Sequence, residues 1–218
     1  LVNSLNALGL PVSQMNPDEM LALTGSAHHQ GLAAKVGPFP YVSLHDLVSA
    51  RSGRSGILVL LDEIQDPGNV GSIIRSAECL GAAGMVLTKD RAAPVTPAVE
   101  KAAAGATAHL PLARVVNLVR AMEELKAANY WIYGADIRAR QVYTELDWTG
   151  QVALVLGSEG KGLRRLVLEN CDARVSIPMG GKIASLNVAQ TAAVVLAEAQ
   201  RQRRARDASG PEGDATGR

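Results

Sequence analysis

The sequence predicts an α/β fold built on a mostly parallel β-sheet flanked by helices. Apolar runs such as Ile57-Leu58-Val59-Leu60-Leu61 are continuous rather than alternating, as strands buried on both faces require. Helical patterns separate most of these runs, and strand–helix alternation implies parallel pairing. Three of the junctions are glycine-rich polar loops of strand–loop–helix form.

The 218 residues suit one large domain with a small attachment, and an apolar content of 47 % supplies a well-buried core. Aromatic residues are only 3 %, so Ala, Val, Leu and Ile must build that core. A net charge of +1 does not by itself point to a nucleic-acid partner. Cys79 and Cys171 fall in predicted helices and belong to no CxxC pair. Neither a disulfide framework nor a zinc site is expected, and a reducing cytoplasm is the simplest compartment. No apolar run has the length of a membrane span, and no signal-peptide pattern is present. The chain opens on Leu1 rather than Met, so upstream sequence is expected.

Residues 1–50 differ from the rest. Leu1–Gly9 reads as the end of a helix, and Pro17-Asp18-Glu19 as a helix start capped by Asn16. His28–Val36 reads as a short strand, and Gly37-Pro38-Phe39-Pro40 as a linker. These pieces are too few for a core of their own and are taken as the remnant of an N-terminal domain plus a connector. Residues 51–206 form the main domain. Its predicted strands are Ile57–Leu61, Gly84–Thr88, Thr107–Leu110, Tyr130–Gly134, Val152–Leu156 and Ala173–Ile177. Its predicted helices are Val70–Leu80, Pro97–Ala104, Val115–Ala128, Gly162–Glu169 and Asn187–Gln202. Arg201, Arg203, Arg204 and Arg206 read as a solvated helix end favoured by the helix dipole. Residues 207–218 read as a disordered tail.

In the first loop, Asp66-Pro67-Gly68 makes a turn, Asn69 can cap the next helix, and Gly71 admits a close backbone. Arg75 follows four residues later on the same face. There it is either an exposed surface arginine or a partner for a phosphate or carboxylate, since an arginine near a helix start opposes the dipole. The second loop, Gly157-Ser158-Glu159-Gly160-Lys161-Gly162, has neither the Walker nor the GxGxxG spacing. Glu159 argues against a polyphosphate. It suits a cationic ligand, an arginine or a ribose hydroxyl, or is simply an exposed turn residue. The third loop brings Ser185 and Asn187 to the start of the last helix, where either alone would serve as a plain N-cap. There is no GxSxG element, and His109, within a predicted apolar strand, suits a structural role. No metal-ligand cluster is apparent.

The loops are more specific together than singly. Asn69-x-Gly71-x-x-x-Arg75, then Leu156-Gly157-Ser158-Glu159-Gly160-x-Gly162, then Ile177-Pro178-Met179 followed by Ser185-Leu186-Asn187-Val188-Ala189, resembles the SpoU/TrmH branch of the SPOUT RNA 2'-O-methyltransferases. The resemblance covers Gly56 to Arg204. His29-Gln30-Gly31 and Glu169-Asn170-Cys171-Asp172 are similar to the bacterial 23S rRNA guanosine 2'-O-methyltransferase group.

The resemblance implies a C-terminal deep trefoil knot, which general topology rules would exclude. It implies S-adenosylmethionine as methyl donor, framed by Leu156, Gly157, Ile177, Met179, Ser185 and Leu186. It places Arg75 at the reacting centre, with Asn69, Glu159, Ser185 and Asn187 around it and no metal. It implies a homodimer with the last helix in or beside the interface, RNA (23S rRNA first) as partner, and an N-terminal piece from a ribosomal-protein-like RNA-binding fold. A tRNA substrate and a non-catalytic RNA-binding or ribosome-assembly role are the alternatives. A nucleotide-dependent oxidoreductase is disfavoured by the missing fingerprint.

Overall fold

The computed structural model describes residues 2–25, 27, 29–50 and 56–209. It divides into two units, Leu1–Phe39 and Pro40–Arg218. The first carries α1 (Val2–Ala7) and α2 (Pro17–Thr24). Asn16 caps α2 as expected. Its side chain accepts from Glu19 N and its own N–H donates to Glu19 Oε2, both at 2.9 Å, and Gly25 ends the helix with φ 65°. Neither helix has a buried residue.

The expected strand at His28–Val36 does not form. Gln30 and Gly31 turn the chain with φ of 50° and 76°, and residues 32–36 run without a ladder partner among the described residues. Val36 is 82 % exposed, so nothing compensates the ordering of an isolated strand. His28 itself lies outside the described residues.

The second unit contains α3 (Leu44–Ser49), β1 (Gly56–Asp62), α4 (Pro67–Cys79), β2 (Gly84–Thr88), α5 (Pro97–Ala103), β3 (Leu112–Val115), α6 (Leu118–Ala127), β4 (Trp131–Ala135), β5 (Gln141–Val142), β6 (Gln151–Gly157), α7 (Arg165–Glu169), β7 (Ala173–Ser176) and α8 (Val188–Ser209). The seven strands lie in the order β3-β2-β1-β6-β4-β7-β5, every pair parallel. Thus β6 inserts between β1 and β4, and β7 between β4 and β5.

Alternate residues of the central strands serve opposite faces. Leu58 and Leu60 of β1 and Ala153 and Val155 of β6 join a core with Leu44 and Leu47 of α3, Met122 and Leu125 of α6, and Val167 of α7. The helix α4 packs against both α5 and α8, and α4 with β2 and α8 with β6 join this layer to the sheet. Gly71 fits the α4–α5 crossing because a Cβ there would lie 2.5 Å from Ala102 Cβ and 2.6 Å from Val99 O.

Several boundaries differ from expectation. The strand placed at Thr107–Leu110 is a 3₁₀ turn, Ala106–Ala108. Ala104 and Gly105, with φ of 51° and 90°, close α5 and redirect the chain, so the strand forms later, at Leu112–Val115. His109 is therefore exposed rather than within a strand. Val115 belongs to β3, and α6 starts three residues later behind Asn117, which accepts from Arg120 N at 3.2 Å. Asp66, not Asn69, caps α4. Cys171 follows α7 instead of lying in it. Ser209 closes α8, and the rest of the expected tail, 210–218, lies outside the described residues.

The C-terminal arginines are not one solvated cluster. Arg203 is half-buried and donates to Trp148 O at 2.8 Å and Gly150 O at 2.6 Å. Burial lowers its pKa, and neighbouring Arg206 adds to the effect. Gln202 accepts from Trp148 N at 3.0 Å and donates to Leu146 O at 3.0 Å. Together they staple α8 to the turn before β6, around a Trp148 ring that is fully buried and edge-on to Tyr133. Among the described residues, no helix is long and apolar enough to cross a membrane.

Candidate active site

Parallel strands deliver their following loops to one edge of the sheet, where ligands bind in open α/β folds. The loops after β1, β6 and β7 meet at that edge. Asp66 accepts from Asn69 N at 2.7 Å, and this cap places Asn69 third in α4 with its side chain free to reach out. Asn187 precedes α8 and accepts from Ala189 N at 2.8 Å, so its carbonyl oxygen is engaged in capping while its amide points away.

Those amides converge on Glu159. Asn69 Nδ2 donates to Glu159 Oε1 at 3.1 Å, Asn187 Nδ2 donates to Asn69 Oδ1 at 2.9 Å, and Asn187 Nδ2 also donates to Glu159 Oε1. Three residues from three separate loops thus form one hydrogen-bonded cluster. Two neutral amides hold the Glu159 carboxylate in place without neutralising its charge.

Glu159 also lines a cleft of about 330 Å³. Leu156, Gly157, Ile177, Met179, Ser185 and Leu186 share that lining, with Asp136, Arg138 and Lys161 among its polar walls. All six residues expected to frame a cofactor therefore line a single space. Ser185 is exposed, and its hydroxyl makes no hydrogen bond to the described residues. The cleft combines apolar walls from Leu156, Leu163, Ile177 and Val195 with two carboxylates and a glycine-rich backbone. With Arg138 and Lys161 balancing the two carboxylates, the apolar walls and glycine backbone fit a nucleoside base, and Glu159, held by two neutral amides, fits a cationic group on it. Among the described residues, no group of His, Cys, Asp and Glu is placed to hold a metal ion.

Arg75 stands apart. It is exposed, its guanidinium has no hydrogen bond or ion pair to the described residues, and it is not part of the cleft lining. Because α4 begins at Pro67, Arg75 is more than two turns in, not near the start, and the dipole argument for a partner falls away.

Sequence reasoning missed a second cluster beneath the Glu159 loop. Asp62 ends β1 with a fully buried side chain. It accepts from Arg164 N at 2.9 Å and from Arg164 Nε at 2.7 Å, and Arg164 also pairs with Glu63 at 3.2 Å. The signal available was an acidic residue closing an otherwise wholly apolar strand, since a buried carboxylate needs a cationic partner.

The sequence profile of the SpoU rRNA Methylase family matches residues 56–197. The chain belongs to that family. A second profile, RNA 2'-O ribose methyltransferase substrate binding, matches residues 1–42. The SpoU match covers β1 through most of the apolar part of α8, including all three loops.

An uncharacterized tRNA/rRNA methyltransferase of Synechocystis is 43 % identical over 204 residues, 93 % of this chain and 53 % of that protein. The chain thus spans about half the length of that relative. The 23S rRNA (guanosine-2'-O-)-methyltransferase RlmB of Vibrio vulnificus is 38 % identical over 204 residues, 93 % of this chain and 83 % of its own. Among solved structures, the SpoU methyltransferase AviRb from Streptomyces viridochromogenes in complex with AdoMet superposes with a TM-score of 0.67 at 35 % identity, covering 72 % of this chain and 64 % of that one.

Proposed function

We propose that this SpoU-family chain transfers a methyl group from S-adenosylmethionine to a ribose 2'-hydroxyl of RNA, with a guanosine of 23S rRNA as the first candidate. The observation that carries the reading is the position of Glu159, which lines the cleft and is hydrogen-bonded to both Asn69 and Asn187. The RlmB relatives at about 40 % identity support the rRNA substrate, and the AdoMet-bound neighbour supports the donor.

Bound in the cleft, S-adenosylmethionine would supply an electrophilic methyl on a positively charged sulfur. The carboxylates of Glu159 and Asp136 suit that charge, and the apolar walls suit an adenine. Backbone near Gly157, Ile177 and Leu186 can read a base edge without a charged side chain. Transfer needs the hydroxyl in line with the methyl and stabilisation of charge developing on the ribose oxygen. Ser185 in the cleft lining, and Asn69 and Asn187 through their bonds to Glu159, would orient the reacting groups. The guanidinium of Arg75 has no partner among the described residues, which leaves it available to charge on bound RNA or on the reacting oxygen. Its guanidinium offers N–H donors and no acceptor, so it acts as an electrostatic stabiliser rather than a base.

The trefoil knot and the homodimer belong to the same proposal. The interleaved order of β6 and β7 is compatible with a threaded chain. In α8, Val188, Ala192, Val195 and Leu196 are buried within the chain, and the partly covered Ala189, Ala193 and Val194 are the apolar residues left to meet a second copy. The segment 1–42 is read as part of a domain that helps select the RNA.

The deciding experiment is methyl transfer from tritiated S-adenosylmethionine to 23S rRNA isolated from a strain lacking the gene, with mapping of the modified nucleotide. Incorporation at one ribose supports the proposal. Incorporation only into tRNA redirects the substrate, and binding of RNA without incorporation supports a non-catalytic role.

A further inference from the structure

We infer that Asp62 and Arg164 are positioning residues for the reaction: their ion pair, rooted in the buried Asp62 carboxylate, locks the loop Gly157–Gly162 and thereby sets where Glu159 stands. The inference rests on the reading of Glu159 as an active-site group.

Asp62 lies in register with Gly157, so the buried carboxylate sits at the root of the loop. The loop closes on itself there. Gly162 N donates to Ser158 O at 2.9 Å, and a Cβ on Gly157 would lie 2.2 Å from Gly162 C and 2.4 Å from Leu163 N. The chain past Gly162 is therefore pressed onto the end of β6, and the next residue but one is Arg164. Both oxygens of Asp62 are used on that residue. One accepts from its backbone N–H at 2.9 Å, and the other accepts from Nε at 2.7 Å and from a terminal nitrogen at 2.6 Å. A two-point grip on backbone and side chain fixes orientation as well as distance. The stem of the loop is held at both ends, while Glu159 hangs between them.

The relay continues outward at a conformational cost. Glu63 Oε1 takes both Arg164 and Arg91, each at 3.2 Å. Glu63 and Arg91 are both in left-handed backbone conformations, with φ of 57° and 56°. Long side chains adopt that region rarely, and such residues concentrate where surrounding structure imposes a geometry that function needs.

The test reads the loop directly, without RNA or methyl donor. Arg164→Lys keeps a positive charge beside Asp62 but loses the planar fork. The double variant Asp62→Asn with Arg164→Gln removes both charges, so no buried carboxylate is stranded. Leu112→Ala, a core truncation on the distant edge strand β3, serves as a control for general loss of stability. Amide exchange at Gly162, which is not itself bonded to the clamp, is followed by NMR. It is expected to quicken by about tenfold or more in the two clamp variants and to change little in the control. In the same variants, kcat for methyl transfer is expected to fall by about 100-fold while KM for RNA stays nearly constant, as for a misplaced active-site group. Unchanged Gly162 exchange in a folded clamp variant, or equal quickening in Leu112→Ala, overturns the inference. Failure of both clamp variants to fold, with Leu112→Ala folded, also overturns it, since the pair would then be a folding requirement. A wild-type chain that transfers no methyl group refutes the functional reading instead, and the exchange data remain interpretable.

Discussion

Asn187 donates its side-chain amide to Asn69 Oδ1 at 2.9 Å, joining the residue ahead of α8 to the third residue of α4. The same amide reaches Glu159. Substituting Asn187→Asp keeps the oxygen that caps Ala189 N but replaces the donor by a second carboxylate facing Glu159. We expect α8 to remain folded by circular dichroism and methyl transfer to fall on the order of 100- to 1000-fold. Like charges in contact raise the pKa of one carboxyl, so activity should recover in part as pH is lowered and that carboxyl becomes a donor. A flat pH profile for the variant would show that the amide contacts do not matter to the reaction.

Arg75→Ala should abolish methyl transfer, again on the order of 100- to 1000-fold, with little change in the affinity for S-adenosylhomocysteine measured by calorimetry. The side chain is exposed and has no partner among the described residues, so stability should change by no more than about 0.5 kcal/mol. Arg75→Lys should rescue only partly, because the planar fork is lost. Near wild-type transfer by the alanine variant would remove Arg75 from the reacting centre.

Arg203→Ala should destabilise the chain by about 1–3 kcal/mol, because the carbonyls of Trp148 and Gly150 lose their charged donor in a half-buried place. Urea unfolding followed by tryptophan fluorescence, in which the buried Trp148 supplies the change and the exposed Trp131 a near-constant background, measures this. Arg204→Ala, an exposed neighbour, is the comparison and should be close to neutral.

Burial pushes the Cys171 thiol up to about 12. Its Sγ donates to Val167 O at 3.3 Å beside Gly134, where the protonated form is favoured. An unfolded thiol ionises near pH 8.5. Between those values the unfolded chain has lost a proton that the folded chain keeps, so stability present at neutral pH declines as pH rises. The decline can reach about 1.4 kcal/mol per pH unit. Melting temperatures measured from pH 8 to pH 11 should fall more steeply for wild type than for Cys171→Ala. Parallel curves would assign the alkaline loss to other groups.

The sheet was legible wherever strands are buried on both faces. β1, β2 and β6 are continuous apolar runs, and burial alone dictates such runs. Thr107–Leu110 misled because its apolar residues pack in a 3₁₀ turn, and the left-handed Ala104 that creates the turn has no special side chain to announce it. The two-residue β5 is shorter than any periodic signal. Of the candidate site, Glu159 and the two asparagines each read alone as a turn or cap residue, and only the resemblance of the three loops taken together grouped them. The partners of Asp62 were not. A buried carboxylate states only that it needs a cation, and Arg164 lies a hundred residues away in a position otherwise typical of surface charge. The anchoring role of Arg203 was hidden in the same way, since its neighbours in sequence are exposed arginines.

The placement of β6 between β1 and β4 bears on how the protein is made. Ile57 and Val152 are neighbours in the sheet although nearly half the chain lies between them. During synthesis β1, β2 and β3 are complete long before β6 leaves the ribosome. Until then one side of the Gly56–Asp62 strand, apolar along almost its whole length, has unpaired backbone groups and no covering strand. An open apolar edge of that kind is a template for pairing with another nascent chain. Slowing elongation between β3 and β6 should therefore lengthen the interval in which this edge is open and raise the fraction lost to aggregation.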